Sequence, residues 1–213
     1  MLNLLFQGEY EQFILLLIAI IISLSFHEFG HAWTAKKFGD NTAELMGRLT
    51  LNPIAHIHPI GLLMVATVGF GFAKPVPTNP RNFNSYYASA FISAAGPGMN
   101  LLLAFICINL LTAGHFFEVQ YLIQSGPSLF LYYMAIINML LMLFNLLPIG
   151  PLVGHYILPY FLSKKNAYHY SRLNAQYGHM LLIGLIMLSF LGVPIFGYLL
   201  QLGNQMAQMM SIF

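Results

Sequence analysis

Apolar residues fill this chain in long blocks that polar residues interrupt only briefly. Four blocks reach the length of about 20 residues that a membrane-spanning helix needs. They cover residues 11–36, 86–113, 128–147 and 178–201. A shorter block at 61–73 is rich in glycine and β-branched residues, which predicts a membrane-associated hairpin rather than a span. A further short apolar stretch follows at 155–162. The pattern predicts an all-α polytopic membrane protein.

Composition supports this class of protein. Hydrophobic residues make up 58% of the chain and charged residues 7%, whereas soluble domains carry about 25% charged residues. The net charge of +2 and the lack of a basic cluster give no indication of nucleic-acid binding. One cysteine excludes an intrachain disulfide. No basic residue precedes the first apolar block, so we expect no cleavable signal peptide. Without repeats or linkers, residues 1–213 are expected to form a single domain.

The basic residues indicate an orientation. With four spans, all eight lie in the first and third loops, which share one side of the membrane. They are Lys36, Lys37, Arg48, Lys74, Arg81, Lys164, Lys165 and Arg172. The positive-inside rule places these loops in the cytoplasm and both termini outside. We therefore expect a multi-pass protein of the cell membrane.

A cluster of chemically active residues ends the first apolar block. His27 and His31 are one helical turn apart, so their rings share a face and are able to hold one Zn²⁺ ion. Glu28 is positioned to act as general base on a water molecule at the ion. The pattern H-E-x-x-H also arises by chance, but charged groups at membrane depth are costly unless they have a function. We therefore favour a zinc site.

A second polar break follows the third block. Asn145 offers an amide in an apolar setting, and Pro148, Gly150 and Pro151 end the helix there. This break and the histidine pair are predicted to reach the same depth on the cytoplasmic side. Irregular backbone at that depth is tolerated where it lines a wet cavity or is buried in protein.

Four motifs together resemble the site-2 proteases, the intramembrane zinc metalloproteases, in their compact bacterial form. The motifs are HEFGHAWTAKKFGD, GRLTLNPIAHIHPIG with GFAKPVPTNPRNF, AAGPGMN, and FNLLPIGPLVGHYIL. The resemblance implies a protease that cuts the transmembrane helix of a substrate protein within or near the bilayer. It suggests that Asn145 binds the substrate backbone or the oxyanion, although an interhelical hydrogen bond would also explain it. Asn100 is read as structural, and Gly96 as allowing close approach of helices.

The chain departs from the family pattern at the third zinc ligand. Val153 stands where the family has aspartate, and His58 stands where the hairpin motif usually has aspartate. A catalytic zinc site normally has three protein ligands and a water. His155 is the first alternative for the third ligand, and His56 or His58 is the next. Otherwise the site is impaired.

Three functions follow from these observations. The first is an intramembrane zinc endopeptidase that acts near the cytoplasmic side of the bilayer on a transmembrane protein substrate, in contact with membrane lipid. The second is a relative that binds transmembrane segments but cannot cut them, because of Val153. The third is a metal-ion transporter, which ranks last because the second and fourth spans contain no carboxylate.

Overall fold

Helices form all the regular secondary structure in the computed structural model, which describes residues 1–68, 71 and 73–212. The α-helices are, in chain order, α1 (Leu2–Phe6), α2 (Tyr10–Lys37), α3 (Thr42–Leu45), α4 (Pro53–His56), α5 (Pro59–Val68), α6 (Ala88–Phe116), α7 (Gln120–Ile123), α8 (Ser125–Asn145), α9 (Gly154–Ile157), α10 (Lys164–Phe190) and α11 (Ile195–Met210). Short 3₁₀ turns occupy Pro80–Asn82 and Leu158–Phe161.

Three helices of the described chain, α2, α6 and α8, are long and apolar enough to cross a membrane. The shortest, α8, has 21 residues, which at 1.5 Å per residue extends about 30 Å, the thickness of the hydrocarbon core. The three pack against one another, and the core between them is rich in alanine and methionine. Its buried members are Ala19, Ala104, Cys107, Ile108, Met134, Ala135, Met139 and Met142. The predicted class, an all-α polytopic membrane protein, is confirmed.

The fourth predicted span, 178–201, is not one continuous helix. Helix α10 ends at Phe190 and α11 begins at Ile195. Gly192 between them has a φ of +99°, a left-handed conformation that favours glycine. Pro194 follows, and it cannot donate the hydrogen bond that would continue the helix. The conformation of Gly192 and the missing N–H of Pro194 therefore end the helix, although the stretch is mostly apolar.

The block predicted as a hairpin also differs from the expectation. Residues Pro59–Val68 form the helix α5, so the first part of the stretch 61–73 is helical, while 69, 70 and 72 lie outside the described residues. Proline is favoured at the first position of a helix, and the leucines and alanine that follow are good helix formers. The later apolar stretch 155–162 contains the single turn α9 and a 3₁₀ turn.

Small residues bring α2 and α6 into close contact beside the candidate site. A Cβ atom placed on Gly30 would lie 2.6 Å from Met99 Cγ and 2.7 Å from the Ala95 carbonyl oxygen. Real Cβ atoms do not approach other atoms so closely, so a larger residue at Gly30 would force the two helices apart. The two helices therefore approach each other closely at Gly30.

The loop after α2 is held by Asp40, whose carboxylate is fully buried. It accepts hydrogen bonds from Thr42 N–H at 3.1 Å, Thr42 Oγ1–H at 2.5 Å, Asn79 N–H at 2.7 Å and Asn82 Nδ2–H at 2.9 Å. Burial alone would raise the pKa of Asp40, but these hydrogen bonds outweigh it and hold that pKa below its ordinary value. Asp40 thereby ties the end of α2 to the extended stretch of residues 73–79, here called the 73–79 segment.

Candidate metal centre

The two histidines of α2 face each other inside the helix bundle. The Nε2 atoms of His27 and His31 are 3.0 Å apart. Their rings meet edge to face, with centroids 4.7 Å apart and an interplanar angle of 82°. The predicted helical spacing therefore brings both imidazoles to one point.

The other ring nitrogen of each histidine is bound to an oxygen that accepts a hydrogen bond. His27 Nδ1–H donates to Asn100 Oδ1 at 2.5 Å, and His31 Nδ1–H donates to the carbonyl oxygen of Ile92 at 2.7 Å. In a neutral imidazole the second nitrogen then carries a lone pair. Both Nε2 lone pairs consequently face each other, and a cation between them removes their repulsion. Metal-bound histidines are commonly fixed by a second-shell acceptor in this way.

Gly96 of α6 leaves room at the paired nitrogens. A Cβ atom on this residue would lie 2.7 Å from His27 Nε2 and closer still to His31 Nε2. A glycine is therefore required for the two imidazoles to keep their positions against α6. The paired lone pairs and this notch fit a metal ion held by His27 and His31.

A buried polar network continues behind His27. Asn100 Nδ2 donates to the Ser23 carbonyl oxygen at 3.2 Å and to Asn138 Oδ1 at 2.7 Å, which leaves Asn100 Oδ1 to face the histidine. Asn138 Nδ2 donates to Ser23 Oγ at 2.7 Å. All three residues are fully buried. The network joins α2, α6 and α8 and orients the imidazole of His27.

Ser23 and Asn138 were missed by the sequence reasoning. The available signal was a polar side chain within an apolar helix, which is costly in a membrane unless it is paired. Asn100 was expected to be structural, and the structure places it in contact with His27.

Glu28 directly follows His27 in α2 and is buried, with 7% of its surface exposed. Its Oε2 accepts a hydrogen bond from the Val76 N–H at 2.9 Å. Among the described residues, this hydrogen bond from the 73–79 segment holds the Glu28 carboxylate in place.

The part of the chain that the structure describes brings no third ligand to the pair. Among the described residues, no group of three His, Cys, Asp or Glu side chains is arranged to hold a metal ion. His155 Nδ1 donates to the Leu152 carbonyl oxygen at 2.8 Å, and its ring contacts that of Tyr156 at an interplanar angle of 43° in a separate surface pocket. The structure therefore does not bring His155 to the histidine pair.

The other two candidate histidines and Val153 lie in or next to short helices. His56 Nε2 donates to the Thr50 carbonyl oxygen at 2.7 Å. Burial and the nearby charge of Arg48 lower the pKa of His56, although its bond to Thr50 opposes them. Val153 directly precedes α9, which packs against α6. His58 belongs to no ligand group in the described residues.

The second polar break is held by α10. Asn174 accepts a hydrogen bond from Gly150 N–H at 3.0 Å and donates to the Gly150 carbonyl oxygen at 3.2 Å. The Pro148 carbonyl oxygen accepts from Tyr170 Oη at 2.9 Å. Asn145 Nδ2 donates to the Leu141 carbonyl oxygen of its own helix at 2.9 Å. Through these hydrogen bonds, neither Asn145 nor Pro148 contacts His27 or His31.

Comparisons with known proteins show the family to which the chain belongs. The model of peptidase family M50 matches residues 15–122, a range that includes the histidine pair but not Val153. The chain is 44% identical over 146 residues to "Putative zinc metalloprotease YwhC" of Bacillus subtilis, with 67% of each chain covered. It is 36% identical over 148 residues to "Putative zinc metalloprotease Rip2" of Mycolicibacterium smegmatis, covering 67% of this chain and 55% of that one.

A more distant relative matches a longer stretch. The chain is 27% identical over 188 residues to "Zinc metalloprotease MJ0392" of Methanocaldococcus jannaschii, covering 88% of this chain and 46% of that protein. It thus spans two thirds of YwhC, at 67%, and roughly half of the other two relatives, at 55% and 46%. No solved structure matches this chain at a significant level.

Proposed function

The chain belongs to peptidase family M50, the family of the site-2 proteases, and we propose that it is an intramembrane zinc endopeptidase. Its substrate would be a transmembrane protein, cut near the cytoplasmic side of the bilayer. The observation that carries the proposal is the pair of Nε2 lone pairs, 3.0 Å apart, with the buried Glu28 directly after His27 on the same helix.

His27 and His31 would hold one zinc ion. A bound zinc ion polarises a carbonyl group and lowers the pKa of a coordinated water. The Nδ1–H bonds to Asn100 and Ile92 keep both imidazoles in the tautomer whose Nε2 accepts a metal. Gly96 keeps the space in front of the nitrogens open.

Glu28 would act as the general base. It would take a proton from the attacking water and deliver it to the departing amine. Its Oε2 accepts the hydrogen bond from the Val76 N–H, so Oε1 would be the oxygen that meets the water. The carboxylate would thereby be held by one oxygen and would present the other to the attacking water.

The substrate must be locally unwound before it is cut. Every backbone group inside the bilayer is hydrogen-bonded within its own helix, which shields the peptide bond. Water must also reach the site from the cytoplasmic side, where the positive-inside rule places the basic loops. The protein would work within a bilayer of the cell membrane.

Metal analysis and one pair of variants test the proposal. The purified full-length chain should hold close to one zinc ion per molecule and cleave a model transmembrane substrate. Glu28→Gln should keep the zinc and lose cleavage. Glu44→Gln, an exposed glutamate paired with Lys36, is the matched control and should change neither. Cleavage by Glu28→Gln at the full rate would refute the assigned base.

A second function has its own supporting observation. No third ligand joins the histidines among the described residues, and Val153 occupies the position where the family has aspartate. The protein would then bind transmembrane segments without cutting them. Val153→Asp tests this alternative, because a variant that gains zinc and cleavage would identify the native chain as an impaired protease. Full zinc and cleavage in the native chain would exclude the alternative.

A further inference from the structure

Arg48 is a buried cation close to the candidate base. It lies in the loop between α3 and α4, and 5% of its surface is exposed. Its guanidinium donates to the carbonyl oxygens of Lys74, at 2.5 Å, and Pro75, at 3.2 Å. Its Nε has no hydrogen-bond partner among the described residues. Burial lowers the pKa of Arg48, and the negative charge of Glu28 opposes this shift.

The residues that Arg48 holds are locally stiff. Pro75 and Pro77 fix their own φ angles and have no N–H, so Val76 supplies the single backbone donor of residues 75–77. Lys74 and Val76 each precede a proline and are restricted to extended conformations. Lys74 N–H also donates to the His56 carbonyl oxygen at 2.8 Å.

The single donor of this stiff stretch is the one that reaches Glu28. The Val76 N–H binds Glu28 Oε2 at 2.9 Å. The position of that N–H depends on the two carbonyl oxygens directly before it in the chain, and both are bound to Arg48. A chain of contacts therefore leads from the guanidinium through two peptide units to the carboxylate.

We propose that Arg48 is a positioning residue for Glu28, which acts by holding the Lys74–Pro75 carbonyls so that the Val76 N–H fixes the carboxylate beside the histidine pair. This inference rests on the proposed function, in which Glu28 is the base. A guanidinium presents several donors in a fixed planar arrangement, so one side chain is able to bind both carbonyl oxygens. The proposal thus explains why an arginine occupies this position.

Kinetics of variants provide the first test. Arg48→Gln should lower kcat by about a hundredfold, since small misplacements of a catalytic group have effects of this size, while KM and zinc content stay unchanged. Arg48→Lys keeps the charge with fewer directed donors and should lose less. Val76→Pro removes the N–H itself and should match Arg48→Gln. The double variant should be no slower than Val76→Pro alone, because both changes break one chain of contacts. Arg81→Gln, on an exposed side chain of the same loop region, is the matched control.

Amide exchange gives a second test that does not depend on cleavage. The protein is isotopically labelled on valine and asparagine, and the Val76 signal is identified by its loss in Val76→Pro. In Arg48→Gln, or in Arg48→Lys if the first variant does not fold, the protection of Val76 should fall about tenfold. The Asn79 amide, bound to Asp40 at 2.7 Å on the same segment, should keep its protection.

The outcomes separate the two proposals. Unchanged protection at Val76, equal loss at Asn79, or additive losses of kcat in the double variant would overturn the role of Arg48. If the native chain does not cleave, the proposed function fails, and the exchange measurement still decides whether Arg48 positions Glu28.

Discussion

Replacing Asn100 by alanine should weaken zinc binding, although Asn100 does not touch the proposed ion. Asn100 Oδ1 accepts the His27 Nδ1–H at 2.5 Å, and the asparagine is fully buried. Without it, the His27 Nδ1–H has no acceptor and the imidazole is free to change its tautomer. The Nε2 lone pair would then no longer be fixed toward His31.

The size of the effect follows from these contacts. Loss of a second-shell partner typically lowers metal affinity 10- to 100-fold, or about 1.4–2.7 kcal/mol. We expect the upper end, because the bond is short and both of its partners are buried. The variant also loses two interhelical bonds, to Ser23 and Asn138. At about 0.6 kcal/mol each in a membrane protein, they would lower the free energy of unfolding by about 1 kcal/mol.

A competition titration against a chromophoric zinc chelator measures the affinity, and thermal unfolding in the same detergent measures the stability. Asn109→Ala is the control. Asn109 lies on the same helix, but its side chain donates to the carbonyl oxygen of Met210 and makes no hydrogen bond to either histidine. A folded Asn100→Ala protein with native zinc affinity would refute the assigned role of the asparagine.

Three further predictions concern other parts of the molecule. Gly96→Ala should abolish zinc binding, because its Cβ would overlap both imidazoles, whereas Gly98→Ala, which meets nothing within 4 Å, should bind zinc normally in the same titration. Asp40 has a folded-state pKa below its ordinary value, so its contribution to stability is present at neutral pH and is lost as the pH falls below about 4. Thermal unfolding between pH 6 and pH 3 should therefore show a steeper acid loss for the native chain than for Asp40→Asn, and equal slopes would contradict the assignment. Cys107 is buried in the core, so a maleimide should label it after denaturation but not before, and rapid labelling of the native protein would be inconsistent with this packing.

The spanning helices and the histidine pair could be predicted because both depend on local sequence. Apolar length alone locates α2, α6 and α8, and a spacing of four residues determines that His27 and His31 share a face. Neither inference requires knowledge of which helices are neighbours.

The polar network and the hold on Glu28 could not be predicted because they depend on tertiary contacts. Asn138 is 38 residues from Asn100, and Val76 is 48 residues from Glu28. The break at Gly192 was missed for a different reason. A search for long apolar stretches averages hydropathy over many residues. It therefore does not detect a single left-handed glycine and a following proline, which end the helix.

The methionine-rich interface between the spanning helices has a consequence for oxidative damage. Met134, Met139 and Met142 are all buried in it, and thioethers adapt their shape more readily than branched side chains. Conversion of one sulfur to a sulfoxide would place a strong dipole where no water is available to solvate it. Oxidation of any of these side chains would therefore destabilise the packing of the three spanning helices.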